Sequence, residues 1–415
     1  MMPARSTNPE RAMQISATPV GPHATDVPRT VELIRTLIRF DTTSRLSNLA
    51  LIDWVQTYLR AHGVESRLTH NDAKTKANLF ATIGDPAVPG IVLSGHTDVV
   101  PVDGQEWTVD PYAGVVQGDR LLGRGAADMK SFLGIVLAAV PEMVAATLQR
   151  PIHLALSYDE EVGCIGVGRM IRDMQDLGIA PGICIVGEPS SMQVVSGHKG
   201  KLALRAHVCG REAHSALAPY AVNAVEYAAE MVVQLRCMQR EKAAQGPFNR
   251  EYDPPYTTLH TGVLRGGTAL NIVPRECSFD FEIRNIPEDD PQQLMRRFED
   301  HCKRELLPQM RRVAAESSIA FETMSQNPGL HNAETDAVVG HVERLAAGGR
   351  GGKVAFGSEA GQFQRAGFAA VICGPGSIND AHKPDEFITF DQLRKGEAFI
   401  SRVVGAASAA DAVAR

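Results

Sequence analysis

The segment Ser94-Gly95-His96-Thr97-Asp98-Val99-Val100-Pro101 follows a short apolar run, Ile91 to Leu93, and carries a histidine with an aspartate two residues later. Asp128, the adjacent pair Glu160 and Glu161, Glu188 and His382 also sit just after apolar runs or in glycine-rich turns, so five scattered segments supply two imidazoles and four carboxylates. Each residue alone reads as a helix cap or a solvated polar group. Together they are the donor set of a hydrolytic site for two divalent cations and a base. Imidazole and carboxylate without thiolate suit zinc, cobalt or manganese in an open catalytic site, not a closed structural zinc. Two cations roughly 3.5–4 Å apart need a shared carboxylate, and an acid outside the coordination shell must handle protons. Glu160 and Glu161 fit that division, because neighbours in a turn point differently and only one need bind metal. Asp98 is placed to receive the second N–H of the His96 imidazole.

Bringing these segments together requires a sheet. From Val27 the pattern predicts helices over 30–39 and 47–62, strands over 79–82 and 91–93, a helix over 130–144, a strand over 152–157, a helix over 166–177 and a strand over 183–186. Strands separated by helix-length segments imply a mostly parallel sheet flanked by helices, with ligands beyond the strands' carboxyl ends. His96, Glu160, Glu161 and Glu188 all fall shortly after a strand in this reading. Near Gly197-His198-Lys199-Gly200 the rhythm changes to strand 201–208, helix 223–238, strands 257–264 and 277–284, helix 291–305 and strand 318–324. That β-α-β-β-α-β order predicts an inserted ferredoxin-like α+β domain. The α/β pattern resumes with helix 336–347, strand 369–373 and helix 391–413, so residues 28–198 and 326–415 form one catalytic domain around an insertion at 199–325. Residues 1–27 are polar, contain proline and read as a disordered tail.

Composition narrows the class. The 415 residues, 44% of them hydrophobic, suffice for more than one core. A net charge of -6 with acids and bases interspersed offers no basic stripe for nucleic acid and no cationic helix for a membrane surface, which leaves small molecules and self-association. Seven cysteines, odd in number and without a CxxC pair, imply reduced thiols and a cytoplasmic protein. The glycine turns 123–125 and 374–376 lack the spacing and lysine of a phosphate loop.

With these motifs in place the chain resembles the M20 family of dinuclear zinc amidohydrolases over nearly everything after residue 27. The resemblance implies that His96 and Glu188 hold one zinc and Glu161 and His382 the other, that Asp128 bridges them, and that cobalt or manganese can substitute. Glu160 then matches the general base, and Asp128-Met129 matches a cis peptide. The insertion becomes a lid and dimerisation domain. Within it His214, in Gly210-Arg211-Glu212-Ala213-His214-Ser215-Ala216, resembles a histidine that steadies the oxyanion from the other subunit of a homodimer, and Asn271 and Arg284 match residues that hold the substrate carboxylate. Three segments, 196–200, 356–363 and 373–386, are similar to the acetylornithine deacetylase subgroup, which acts on a small N-acyl amino acid in arginine biosynthesis. Gly357, Ser358 and Glu359 fall where that subgroup would read its substrate, Glu359 being the candidate partner for a side-chain amine. Sister deacylases of other N-acyl amino acids and the succinyl-diaminopimelate desuccinylases share every ligand and differ in the pocket. An inactive metal-binding or dimerisation module is the rival from another class, and the intact Glu160 and five ligands argue against it.

Overall fold

A computed structural model describes residues 27–180 and 182–409; the tail expected over residues 1–27 lies outside it except for Val27, which opens the first helix. The larger of two principal sheets is built on strands Ile91–His96, Ile152–Ser157, Ile183–Val186 and Ala369–Ile372, paired in parallel. Antiparallel strands flank this centre: Ala77–Ile83 on Ile152–Ser157, and Val194–His198 beyond Ala369–Ile372. The central strands are nearly continuous apolar runs because helices cover both faces. Alternation divides their side chains. Ile91, Leu93, Leu154 and Ile185 enter one core with Leu37, Val55, Leu133 and Val403. Val92, Ala155, Cys184 and Val186 enter another with Met170, Met174 and Phe363.

The second sheet is antiparallel, with strands Gly200–Cys209, Thr258–Gly266, Glu276–Asn285 and Ser318–Asn327. Numbered along the chain they lie in the order 2-3-1-4, which is the expected ferredoxin-like arrangement. Leu202, Leu204, Ala206 and Val208 alternate onto a core with Phe279, Phe281, Met231 and Phe298. The opposite face is polar and bears the ion pairs Arg205–Asp280 and His207–Glu322. At one crossing between the sheets the buried Lys199 donates from Nζ to the carbonyls of Pro254 (2.6 Å) and Tyr256 (2.8 Å).

Several elements depart from the expected boundaries. The helix expected over 130–144 is two, Lys130–Ala138 and Val140–Ala145, since Pro141 has no N–H to carry a continuous ladder. The helix expected over 291–305 stops at His301 and continues through a π turn, Cys302–Leu306. The closing helix ends at Ser408, and the last residues of its expected span lie outside the described ones. Strands Ser66–His70, Val194–His198 and Arg350–Val354 were invisible to periodicity because they are short and polar or glycine-containing. All seven cysteines are free. Among the described residues no helix is long and apolar enough to cross a membrane.

Two histidines in this scaffold are buried and neutral. Burial pushes His153, stacked on Phe80 with centroids 5.4 Å apart, down to about 4, and His198 likewise down to about 4. The unfolded chain therefore binds protons between pH 6.5 and 4 that the folded chain does not, so stability should fall as pH is lowered through that window. The His153→Gln variant should show a shallower loss of Tm between pH 7 and 4.5 than the parent in a thermal melt series; an unchanged slope would remove His153 from the account.

Candidate metal centre

Strand Ile91–His96 delivers His96 at its carboxyl end, and the turns after Ile152–Ser157 and Ile183–Val186 deliver Glu160, Glu161 and Glu188 beside it. Two groups of donor atoms form, each within 4.8 Å: His96, Asp128 and Glu188, and Asp128, Glu161 and His382. Asp128 belongs to both. Its Oδ1 lies 2.9 Å from His96 Nε2, and its Oδ2 lies 3.2 Å from His382 Nε2, which is also 3.2 Å from Glu161 Oε2. The Asp128-Met129 peptide is cis, as the resemblance implied.

The cluster fits cations. Glu161 Oε1 and Glu188 Oε1 are buried and accept no hydrogen bond. Burial and then the Asp128 charge push both glutamates up. His382 is pushed up to about 10 by its hydrogen bonds to Asp128 and Glu161. Carboxylates this crowded hold their protons unless positive charge enters among them. The donors are nitrogen and oxygen only, and the two groups share one carboxylate, which matches a pair of divalent ions. Glu160 stands beside them as a member of neither group, its side chain taking a weak S–H bond from Cys164 at 3.1 Å. Burial, followed by Glu161 and Glu359, pushes Glu160 up to about 8.

A supporting layer holds these residues, and much of it was not foreseen. Glu386, fully buried, accepts the backbone N–H of Ala127 (2.8 Å) and Asp128 (3.0 Å) and pairs with Arg124 at 2.5 Å. Arg124 donates to Gln105 (2.6 Å), whose amide in turn donates to the His382 carbonyl (3.1 Å). Glycine is required at 374, where a Cβ would lie 2.0 Å from the Gly187 carbonyl oxygen, just before Glu188. The run Lys383-Pro384-Asp385-Glu386 beside His382 was the only sequence signal for Glu386.

Asp98 requires a correction. The His96 Nδ1 bond goes to the Asp98 backbone carbonyl at 2.8 Å, and the carboxylate is 3.7 Å away. That carboxylate instead accepts Ser44 Oγ (2.7 Å) and the backbone N–H of Glu160 (3.1 Å) and Glu161 (3.3 Å), so it fixes the turn carrying both glutamates. A second correction concerns Ser358 and Glu359. Both are buried, at 0% and 1% exposure, and do not line the cleft. Ser358 Oγ accepts the Ala360 N–H at the start of helix Ala360–Arg365, and Glu359 lies against Ser94 Oγ at 3.4 Å. Packing of that helix on the sheet turns the Glu359 carboxyl inward, and burial pushes it up to about 7. It cannot meet a substrate amine there.

A cleft of about 170 Å³ opens over the cluster, lined further by Cys164, Lys201, Arg284, Asn327, Phe356, Gly357 and Ile378. Arg284 and Gly357 stand on its wall. His214 and Asn271 do not. They meet in exposed loops of the second sheet, through a His214–Ile272 bridge and a Ser215 N–H to Asn271 carbonyl bond of 3.0 Å.

Strand-end carboxylates and imidazoles converging on a shared aspartate define a metal-dependent hydrolase. Residues 92–406 match the model of Peptidase family M20/M25/M40, and the chain belongs to this family of metal-dependent amide hydrolases. It is 31% identical over 392 residues to an acetylornithine deacetylase of Yersinia pseudotuberculosis serotype O:1b (strain IP 31758), covering 91% of this chain and 97% of the relative. The acetylornithine deacetylase of Myxococcus xanthus is 33% identical over 381 residues, covering 89% and 94%. Among solved structures, an M20 family metallo-carboxypeptidase from Sulfolobus solfataricus superposes with a TM-score of 0.72 at 18% identity, covering 91% of this chain and 99% of that one. Human carnosine dipeptidase 1 gives 0.69 at 15%, covering 92% and 97%. At these identities the structural likeness speaks for the fold.

Since Asp128 serves both donor groups, Asp128→Ala should lose both cations on dialysis, whereas His382→Ala should keep about one, as measured by metal analysis of the purified proteins. Asp98→Ala should retain the fold yet weaken metal binding or activity roughly 10–100-fold, because the glutamate turn loses its anchor. Wild-type metal content and turnover in Asp98→Ala would show the anchor to be dispensable.

Proposed function

We propose that this hydrolase deacetylates N2-acetyl-L-ornithine, releasing L-ornithine and acetate in a cytoplasmic step of arginine biosynthesis. The observation that carries the amide chemistry is Glu160, a half-buried carboxyl on the cleft wall beside the cluster that belongs to neither donor group. Relatives bearing the acetylornithine deacetylase name at 31% and 33% identity over nine-tenths of the chain support the substrate. In this reading His96 and Glu188 hold one zinc ion, Glu161 and His382 the other, and Asp128 is shared; cobalt or manganese can take their place. Bound there, the pair supplies an electrophile for the amide carbonyl and makes water acidic enough to attack at neutral pH.

Glu160 accepts the proton of the attacking water as the new C–O bond forms, then delivers it to the amide nitrogen as the C–N bond breaks, so ornithine leaves as the amine and acetate remains. Its backbone N–H bond to Asp98 keeps it aimed through both transfers. Arg284 and Asn271 bind the substrate carboxylate, Arg284 already from the cleft wall and Asn271 after closure of the second sheet as a lid over residues 199–325. His214 of the partner subunit stabilises the oxyanion. What supports the homodimer is that His214 sits outside its own cleft, in loops that also expose Leu217, Tyr220, Leu270 and Ile272.

The inward-facing Glu359 favours one second reading. With that carboxyl withdrawn, the wall beside the cluster offers Phe356 and Ile378, which suits a deacylase of N-acyl amino acids with uncharged side chains. Amine release should therefore be compared across N2-acetylornithine, acetylmethionine, acetylcitrulline and succinyl-diaminopimelate with zinc- or cobalt-loaded protein. The expected outcome is acetylornithine first and a Glu160→Ala variant at least about 10³-fold slower on every substrate. Acetylmethionine in first place would select the second reading. Turnover by Glu160→Ala at the parent rate would end the proposed mechanism.

A further inference from the structure

The cleft wall contributed by the second sheet carries two cations. Lys201 and Arg284 stand directly opposite each other on the antiparallel strands Gly200–Cys209 and Glu276–Asn285, and both line the cleft. Pairing of this kind places Cα atoms roughly 5 Å apart with both side chains on one face. They share a single counter-charge. Glu282, two residues before Arg284, accepts from Arg284 Nε at 2.7 Å and Nη2 at 3.4 Å, while its other approach is to Lys201 Nζ at 3.6 Å. Glu282 is not part of the cleft lining. The wall thus presents two positive groups against one negative.

The hydrogen-bond inventory sharpens this. At 3.6 Å the Lys201 ammonium is attracted to Glu282 but makes no hydrogen bond to it, and among the described residues it donates to nothing else. Arg284 spends Nε and Nη2 on Glu282 and leaves Nη1 unengaged. Side-chain exposures of 26% for Lys201 and 31% for Arg284 mean that neither group is fully hydrated. Partly dehydrated cations with free donors facing a cavity are what a carboxylate receptor requires. The floor of the same cleft is acidic, with Asp128, Glu160, Glu161 and Glu188. A substrate is therefore polarised across it, with its anionic end on the second-sheet wall and its amide carbonyl over the cluster.

We infer that Lys201 is a specificity-determining residue: with Arg284 it forms a two-cation receptor for the α-carboxylate of an N-acyl amino acid, and Glu282 is the positioning residue that keeps the two side chains parallel. The inference rests on the deacylase reading above and deepens it. One carboxylate oxygen meets the free Nη1 face of Arg284 and the other meets the Lys201 ammonium. The receptor discriminates a free acid from its neutral carboxamide, whatever the amino-acid side chain.

The test compares N2-acetyl-L-methionine with its α-carboxamide, in the metal-loaded parent, Lys201→Met and Lys201→Arg. Lys201→Met should raise KM for the free acid about tenfold with kcat within about twofold, and leave kcat/KM for the carboxamide unchanged. Lys201→Arg should recover most of the lost affinity. A free-acid KM within twofold of the parent, or equal losses on acid and carboxamide, overturns the receptor. Calorimetric titration of N2-acetyl-L-methionine into metal-loaded Glu160→Ala, with and without Lys201→Met, separates the two readings. Binding about tenfold weaker in the double variant sustains the receptor even if no acyl amino acid is ever hydrolysed. Equal binding overturns it even if the deacylase activity stands.

Discussion

Like-charge crowding is the constraint on which the rest of this structure turns. Asp128, Glu161 and Glu188 are buried to within a few per cent of full occlusion, and Glu160 lies beside them. Such a set is unfavourable in a folded chain unless protons or cations are held among the oxygens. Asp128 shows the local balance. Burial would raise it, but hydrogen bonds from His382 and His96 bring it below the usual carboxylate range, while Glu161 and Glu188, with less help, go up. A site that repels itself must be held by something other than its own interactions, and the surrounding hydrogen bonds supply that hold.

The supporting bonds are of two kinds. Glu386 and the Asp98 carboxylate each accept two backbone N–H groups, fixing the turns that carry Asp128 and the Glu160–Glu161 pair. Both acids are themselves partnered, Glu386 by Arg124 and Asp98 by Ser44. Asp98 follows the parallel strand Ile91–His96, whose alternate residues are locked into separate cores on the two faces, whereas Glu386 leads into strand Phe387–Thr389, paired antiparallel with Arg120–Leu122. The metal-binding oxygens are thus held through two short chains of hydrogen bonds that start from different sheets.

Charge is also divided between the two sheets. The large sheet supplies the acidic floor, and the small one supplies Lys201 and Arg284 on the wall. Dividing the signs between two bodies joined near Lys199 and Asn327 leaves the distance from floor to wall dependent on how those crossings are set. Asn327 bonds to the Ser358 carbonyl at 2.9 Å, and Lys199 to two carbonyls of the 254–256 segment. The separation of floor and wall therefore depends on these crossings as well as on the lining residues.

Much of this was legible in the chain. The central strands are apolar runs that announce burial on both faces, and His96, Glu160, Glu161 and Glu188 follow them while Asp128 lies past a glycine turn, so most of the donor set and the two-sheet plan are written in local order; His382 follows the short turn Ile378–Asp380 instead. The alternation of Leu202, Leu204, Ala206 and Val208 likewise marks one covered face of the second sheet. Other features depend on what the fold brings near. Spacing put Asp98 within reach of His96, but strand-end geometry presents the backbone carbonyl to the imidazole and turns the carboxylate to the glutamate turn. Glu359 has the sequence position of a substrate contact, yet packing of its helix buries it. Lys201 and Arg284 are 83 positions apart in sequence and become neighbours through strand register alone. Local sequence determines which residues follow which strands because periodicity is a short-range property. Tertiary structure decides direction and partnership, since these depend on register and packing between segments that the chain order does not relate.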